Sequence, residues 1–320
     1  MKKTVLLTYK AGVHPALQAG IRELGVDLRD FRSHDELETG VIGCMIWFYD
    51  CLRRPIEIWS LRRKLRRAGI PLIAWNQDAP HYLNRAAWRL DLLDKARLLD
   101  IYATHTLIDA TRNFADTVLY LPNAADLSKY HLHGVTLEDL RDPARYSVDV
   151  SFFGAIDGVR YKEMQARQLF FSALGDRLAR QDLHFLFREA AGMSVDEQVG
   201  LIQRSRINLN FGASCDYGSP VASGLPERCY GIPACGGFLL CDQRTHARDD
   251  FAPGLDWAEF EGIDDCVQQI SHWLDHFAEA RDLAERCHRR VLATHTYAHR
   301  ARRLVDTIED WHAGKRGLIH

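Results

Sequence analysis

The chain has 320 residues, 47% of them hydrophobic, and its 41 basic and 43 acidic side chains give a formal net charge of -2. This length and composition exclude a disordered chain and predict two ordinary folded domains. The balanced charge excludes a global field that would attract nucleic acid or an anionic membrane, so any basic site must be local.

Targeting and cysteine patterns indicate a cytoplasmic protein. The apolar run in MKKTVLLTYKAG is about five residues long, shorter than the core of a signal peptide, and no segment approaches the roughly 20 apolar residues of a membrane span. The eight cysteines include no C-x-x-C pair, so we expect reduced and mostly buried thiols rather than a zinc or redox site.

Short apolar strands alternate with helix-period segments along the chain, which is typical of parallel sheets with helical crossovers. In the first half we expect strands at 4–8, 41–48, 71–75, 101–104 and 118–121, and helices near 14–24, 55–67 and 85–98.

The pattern stops at LPNAADLSKYHLHGVTLEDLRDPARYS, a polar stretch typical of a connection between domains, and then starts again. The second half predicts strands at 149–153, 183–187, 207–211 and 238–242, helices at 161–178 and 195–205, and a wholly helical chain from residue 264. Two alternating halves and a helical tail predict two Rossmann-like domains that face each other across a cleft.

Ligands of open parallel sheets bind beyond the carboxyl ends of the strands. In the second half the relevant loops contain FFGAIDGVRYK, FGASCDYGSPVASGLPER and CDQRTH. Gly154 and Gly158 would let the backbone approach a ligand, and Arg160 would offer a phosphate its fork of donors.

The segment PERCYGIPACGGFLLCD predicts a helix from about Pro226 whose start, together with Arg228, would bind an anion. Gly236 and Gly237 would end this helix and allow a tight turn into the next strand. The alternative is that the glycines are only a helix stop and that Arg228 lies on a solvated face.

Four segments in this order resemble the CgeB-like glycosyltransferases of the two-domain GT-B superfamily: DVSFFGAIDGVR, PERCYGIPACGGFLLCDQR, FAPGLDWAEF and RCHRRVLATHTYAHRARRLV. The resemblance covers roughly residues 118 to 311. It implies an acceptor domain at 1–122, a donor domain at 123–296 and a C-terminal helix at 297–320 that crosses back to the first domain. It also implies a nucleotide diphosphate sugar such as a UDP-sugar as the donor substrate, no cofactor and no metal. The donor-binding residues that it implies are Gly154, Arg160, Glu227, Arg228, Tyr230, Gly236 and Gly237.

One position departs from the family pattern. Members usually have Glu three residues after the arginine, where this sequence has Gly231, and that carboxylate resembles a clamp for the donor ribose. Glu227 lies one helical turn earlier and is a candidate to replace it.

The first domain would hold the acceptor and a catalytic base, because an inverting enzyme of this fold needs a carboxylate or imidazole near the acceptor hydroxyl. Asp78 and His81 in WNQDAPHY follow an apolar strand and resemble a D-x-P loop of CgeB-like chains, so Asp78 is the first candidate and His14 another. Asp50 and His105 also follow strands. The alternative for Asp78 is a helix cap.

Two further motifs have structural alternatives. The run 62–67 (RRKLRR) would dock a peripheral membrane or a phosphorylated acceptor, or would form a solvated helix face. His295 and His299 in HTYAHR have no glutamate between them, so the metalloprotease pattern is absent.

The sequence therefore predicts a metal-independent glycosyltransferase with an unidentified acceptor. The alternatives are a nucleotide-sugar epimerase on the same fold and a non-catalytic nucleotide-sugar binding protein, and the change to Gly231 favours the second of these.

Overall fold

The computed structural model describes residues 2–8, 12–31, 37–77, 87–105, 114–159, 164–212, 224–244 and 250–319. The chain divides into two compact units. Unit 1 comprises Met1–Asn123 and Tyr297–His320, and unit 2 comprises Ala124–Thr296. Both units contain a parallel sheet with helical crossovers, and the two-domain α/β fold class predicted from the sequence is confirmed.

Unit 1 is built on a seven-stranded sheet of order β12-β6-β5-β4-β3-β1-β2, in which every pairing is parallel. Its strands are β1 (Lys3–Thr8), β2 (Val26–Phe31), β3 (Val41–Trp47), β4 (Leu72–Asn76), β5 (Leu99–Thr104), β6 (Ala115–Tyr120) and β12 (Gly317–Ile319). Its helices are α1 (Pro15–Glu23), α2 (Asp50–Arg53), α3 (Pro55–Arg67), α4 (Ala87–Ala96) and α10 (Tyr297–His312).

The central strands of this sheet are buried along their whole length. Every residue of β4 and β5 is buried, as expected for parallel strands covered by helices on both faces. The edge strand β2 instead contains Asp27, Arg29 and Asp30, which face partly outward. Its charged, alternating sequence explains why β2 was not predicted.

The C-terminal segment packs within unit 1. Helix α10 lies so close to α1 that a Cβ on Gly20 would come 2.9 Å from the Cβ of Ala301. After α10 the chain adds β12 to the sheet beside β6. The expectation of a wholly helical chain from residue 264 is therefore wrong, because GLI forms a short strand that its length did not reveal.

Unit 2 contains a five-stranded parallel sheet of order β11-β10-β9-β7-β8. Its strands are β7 (Val148–Gly154), β8 (Phe185–Glu189), β9 (Ser205–Asn210), β10 (Leu239–Asp242) and β11 (Ala258–Phe260). Its helices are α5 (Gln165–Ala179), α6 (Val195–Gln203), α7 (Arg228–Ala234), α8 (Gly262–Asp275) and α9 (Phe277–Thr294). The predicted capping box of Ser194 and Glu197 begins α6.

Nearly all of the polar stretch that resembled a connection belongs to unit 2 and packs within it. Leu140, in a short 3-10 turn at Asp139–Arg141, is only 1% exposed. Gly236 has φ of 76°, and a Cβ there would come 2.6 Å from Cδ1 of Leu140. The stretch thus covers the end of α7, and its scattered leucines anchor it.

Among the described residues, no helix has the length and apolar character needed to cross a bilayer. The seven cysteines in the described part of the chain are buried and carry free thiols, and Cys215 lies outside it.

Candidate active site in unit 2

Three polar or flexible residues end three neighbouring parallel strands. Gly154 ends β7, Asn210 ends β9 and Asp242 ends β10, and β9 lies between the other two. Since parallel strands finish at one edge of the sheet, these residues share the edge where such folds bind ligands.

Arg228, the first residue of α7, extends its guanidinium to this edge. Its Nη1 donates to the Phe153 carbonyl and its Nε to Oδ1 of Asn210, both at 2.7 Å. Its Cζ lies 4.7 Å from the centre of the Phe152 ring. Burial lowers the pKa of Arg228 from its ordinary value of 12.5. Neutral acceptors and an aromatic ring therefore fix the position of this cation.

Gly154 leaves the space that Arg228 occupies. A Cβ at this position would lie 2.4 Å from Nη1 of Arg228 and 2.8 Å from Cζ of Phe152. The two residues were predicted separately as donor-binding, and the structure brings them into contact. A side chain on Gly154 would force the guanidinium away from the end of β7.

Asp242 and Arg244 form a second, buried pair next to Asn210. Arg244 has no exposed side-chain surface and donates from Nε and Nη2 to the two oxygens of Asp242 at 3.0 and 2.9 Å. Asn210 Nδ2 donates to Asp242 at 2.7 Å, and the amide of Gly212 donates at 2.9 Å. Asn210 thus bridges the carboxylate and Arg228.

The two arginines of this network differ in their described partners. Asp242 is the ion-pair partner of Arg244, whereas no carboxylate of the described residues lies within salt-bridge distance of Arg228. A positive charge that is held by neutral groups at a ligand-binding edge is suited to an anion.

In the glycine-containing loop after β7, several backbone amides donate hydrogen bonds to side chains of unit 2. Glu189, at the end of β8, accepts from the amides of Ile156 and Asp157 at 2.8 and 3.2 Å. The amide of Gly158 donates to Gln168 on α5 at 3.1 Å, and a Cβ there would lie 2.6 Å from the same oxygen. Gly158 therefore allows the loop to approach α5. Arg160 lies outside the described residues.

Gly231, which departs from the CgeB-like pattern that the sequence resembles, is covered by an aromatic ring. A Cβ at Gly231 would lie 3.0 Å from Cγ and Cδ2 of Tyr130. The Tyr130 hydroxyl donates to Oε1 of Gln198 at 2.8 Å, which fixes the ring. The volume of a larger side chain at Gly231 is thus filled by a tyrosine from the polar stretch.

Glu227, the residue before α7, has an altered proton affinity. Burial raises the pKa of its carboxyl, and the negative charge of Asp126 acts in the same direction, while Lys129 lowers it. The side chain is about one turn from Gly231, as the sequence predicted, and it is half-buried.

The comparisons with known proteins fit this architecture. Residues 139–306, more than half of the chain, match a family model described as glycosyl transferase-like. The chain belongs to this family. The enzyme class predicted from the sequence, a glycosyltransferase, is thereby confirmed. No curated protein matches the chain.

Several solved structures share the GT-B fold of this glycosyltransferase. Sucrose-phosphate synthase from Thermosynechococcus elongatus is 12% identical with a TM-score of 0.58, covering 98% of this chain and 100% of its own. HepE from Anabaena, in complex with UDP, is 10% identical with a TM-score of 0.58 and coverages of 96% and 100%. Trehalose 6-phosphate synthase from Burkholderia multivorans is 10% identical with a TM-score of 0.56 and coverages of 98% and 100%.

Three other predicted donor-binding residues have interior contacts in the glycosyltransferase. The Tyr230 hydroxyl donates to the carboxylate of Asp250, and the ring is fully buried. Gly236 packs on Leu140 as described, and a Cβ on Gly237 would lie 2.6 Å from Cγ2 of Ile202. Their role in donor binding stays a prediction.

The predicted catalytic residues belong to unit 1. Asp78 and His81 lie outside the described residues. His14 is the N-cap of α1, where its Nδ1 accepts from the amide of Ala16 at 3.2 Å, and its ring stacks on Tyr297 with centroids 4.2 Å apart. Its role as a base stays a prediction.

The basic run on α3 is partly committed to ion pairs inside unit 1. Arg62 and Arg66 both bind the fully buried Asp100, at 3.0 and 2.7 Å, and Arg66 also binds Asp116 at 2.9 Å. These two arginines therefore attach α3 to β5 and β6. Arg63 and Arg67 are exposed.

Sequence reasoning singled out Arg228 but missed Asn210, Asp242, Arg244 and Tyr130. Asn210 lies within the predicted strand 207–211 and ends the observed β9, Asp242 ends the predicted strand 238–242, and Arg244 lies in the CDQRTH loop that was predicted to face a ligand. Polar residues directly at strand ends were therefore the available signal. Tyr130 gave none, because its contact with Gly231 joins segments about 100 residues apart.

Proposed function

We propose that this glycosyltransferase transfers a sugar from a nucleoside diphosphate sugar and that the donor diphosphate binds beside Arg228 in unit 2. The observation that carries the proposal is the guanidinium of Arg228, held by Phe153 and Asn210 at the carboxyl edge of the sheet. Among the described residues at this edge of the sheet, Arg244 is paired with the carboxylate of Asp242, whereas Arg228 is held by neutral groups.

The position of Arg228 suits a leaving group that gains negative charge. Two of its donors are used by the protein, so the rest of the planar fork is available for phosphate oxygens. The group is already oriented before the donor binds, so little reorganisation is needed when the diphosphate departs. This supports a reaction in which arginine, rather than a metal ion, neutralises the diphosphate.

Uridine is the first base to test, because HepE, which has the same fold, was solved in complex with UDP. Glu227 is the proposed partner of the donor ribose. Tyr130 fills the space beside Gly231, which supports a replacement of the family carboxylate by one from an adjacent turn. The motifs quoted above support the CgeB-like subtype.

In this proposal the acceptor binds the domain at 1–122 and the donor binds the domain at 123–296. Asp78 is the proposed base of an inverting reaction, with His81 and His14 as alternatives. The helix at 297–320 completes the acceptor domain.

A thermal-shift screen of the full chain against UDP, GDP, ADP, CDP and dTDP tests the donor site. A ligand at about a hundredfold excess over its Kd stabilises the native state by roughly 2.7 kcal/mol, which is a readily measured shift. We expect one diphosphate to raise the midpoint, and the rise to vanish in Arg228→Gln. If none of the five raises the midpoint, the proposal is wrong.

A non-catalytic nucleotide-sugar binding protein is the second candidate, favoured by Gly231 under Tyr130. The two candidates separate when the matching diphosphate sugar is incubated with the protein. Release of free diphosphate, by transfer or slow hydrolysis, supports the transferase. Binding without any release supports the binding protein, and a changed sugar still attached to its diphosphate supports an epimerase.

A further inference from the structure

An apolar groove lies in unit 1 between α3 and α4. It encloses about 550 Å³, within the range of roughly 300 to 1,000 Å³ of small-molecule pockets. Among its lining residues are Leu52, Pro55, Ile56, Trp59, Trp88 and Leu92.

The side chains around this groove expose much of their apolar surface. Ile56 is 81% exposed, Trp59 52%, Trp88 63% and Leu92 57%. These are four of the most exposed large apolar residues in the described part of the chain, and they share one groove. A contiguous exposed patch of this kind marks a surface that binds a partner or a membrane.

Arginines stand beside both tryptophans. The guanidinium of Arg63 lies 5.6 Å from the centre of the Trp59 ring, and that of Arg89 lies 5.2 Å from the Trp88 ring. Arg53 lines the groove itself. Residues 50–67 and 87–96 together contain nine basic and four acidic side chains, although the whole chain has a net charge of -2. Without Arg62 and Arg66, which pair with Asp100 and Asp116, the basic side chains of these two ranges still outnumber the acidic ones, so the groove has a local basic excess.

We propose that this groove docks unit 1 on an anionic phospholipid bilayer. Tryptophan and arginine together suit the membrane interface, since indole rings sit at the level of the headgroups and arginines meet lipid phosphates. The basic excess favours an anionic surface over a neutral partner. The docking surface is the groove and its tryptophans, and Arg62 and Arg66 of the basic run, which pair with Asp100, are not part of it.

Flotation of the full chain with vesicles tests the proposal. One set contains phosphatidylcholine with about 30% of the anionic lipid phosphatidylglycerol, and the other contains phosphatidylcholine alone. We expect binding to the anionic vesicles that weakens as salt is added. Because each tryptophan would bury apolar surface in the bilayer, Trp59→Ser with Trp88→Ser should lower binding at least about tenfold.

Matched controls separate docking from general effects. Leu169→Ser removes an apolar side chain that is 71% exposed on α5 of unit 2, and it should leave binding unchanged. Arg63→Gln should weaken binding about fivefold, since one basic residue near an anionic surface contributes about 1 kcal/mol. Arg180→Gln, at the exposed residue that caps the end of α5, should leave vesicle binding unchanged.

Three results would overturn the proposal. These are equal binding to both vesicle sets, binding unaffected by the tryptophan substitutions, and a dimer in solution that dissociates in the double variant without any lipid. The last would assign the groove to a second copy of this chain. The experiment reads vesicle binding only, so its outcome is independent of the donor proposal.

Discussion

The packing of Tyr130 on Gly231 gives a prediction whose size follows from the structure. We consider Gly231→Glu, which introduces the residue type of the CgeB-like pattern that the sequence resembles. Its Cβ would lie 3.0 Å from two carbons of the Tyr130 ring and 3.3 Å from a third, closer than ordinary van der Waals contact. The ring must therefore move.

Two costs follow from this movement. Overpacking of a filled interior costs about 1–3 kcal/mol. Displacement of the ring also breaks the 2.8 Å hydrogen bond to Gln198, worth about 0.5–1.5 kcal/mol. The sum is roughly 2–4 kcal/mol, and for a unit of this size each kcal/mol lowers the unfolding midpoint by about 2–4 °C. We expect the midpoint to fall by roughly 5–15 °C in differential scanning calorimetry.

Gly200→Glu is the matched control. Gly200 also lies in a helix, α6, but it is exposed and a Cβ there would meet nothing within 4 Å. Its midpoint should stay unchanged or rise slightly, since glutamate favours a helix more than glycine does. A double-mutant cycle of Gly231→Glu with Tyr130→Ala should show a coupling of about 1 kcal/mol or more. A midpoint for Gly231→Glu equal to that of the wild type, or a coupling near zero, would refute the reasoning.

Three further predictions concern the same unit. Gly154→Ala should abolish the thermal shift by the bound diphosphate while the fold persists in circular dichroism, because the added Cβ displaces Arg228. Asp242→Asn should lower the stability by about 3–5 kcal/mol in urea unfolding, because it removes the negative charge of Asp242 from the buried pair with Arg244. For Glu227 the folded-state pKa is raised above its ordinary 4.5, so its contribution to stability falls as pH rises from there. Glu227→Gln should accordingly be stabilised relative to wild type at pH 8 but not at pH 4, and the opposite order would contradict the assignment.

Most of the strands and helices could be predicted from the sequence because the residue patterns that specify them are local. Buried strands such as LIAWN are continuous apolar runs, and S-V-D-E fixes the start of α6. Strand β2 was missed because its charged residues alternate with apolar ones at the edge of a sheet, and β11 and β12 because three residues carry too little pattern. The prediction of a wholly helical chain from residue 264 was wrong for the same reason.

The candidate site was predictable only in part. Arg228 and Gly154 could be chosen from motif and loop, but their mutual contact depends on the order of β7 and β9 in the sheet. The bridge from Asn210 to Asp242 depends on the pairing of β9 with β10, which no local pattern contains. The packing of the Tyr130 ring on Gly231 likewise forms only when the unit folds.

The central claim is that the diphosphate of the donor binds Arg228. Isothermal titration of UDP, followed by GDP, ADP, CDP and dTDP, into the wild type, Arg228→Gln and the exposed control Arg180→Gln tests it most directly. A hydrogen bond to a charged group is worth about 1.5–3 kcal/mol. We therefore predict that one diphosphate binds the wild type and Arg180→Gln equally and binds Arg228→Gln about ten- to a hundredfold more weakly. The same Kd for all three proteins, or no binding of any diphosphate to the wild type, would contradict the account.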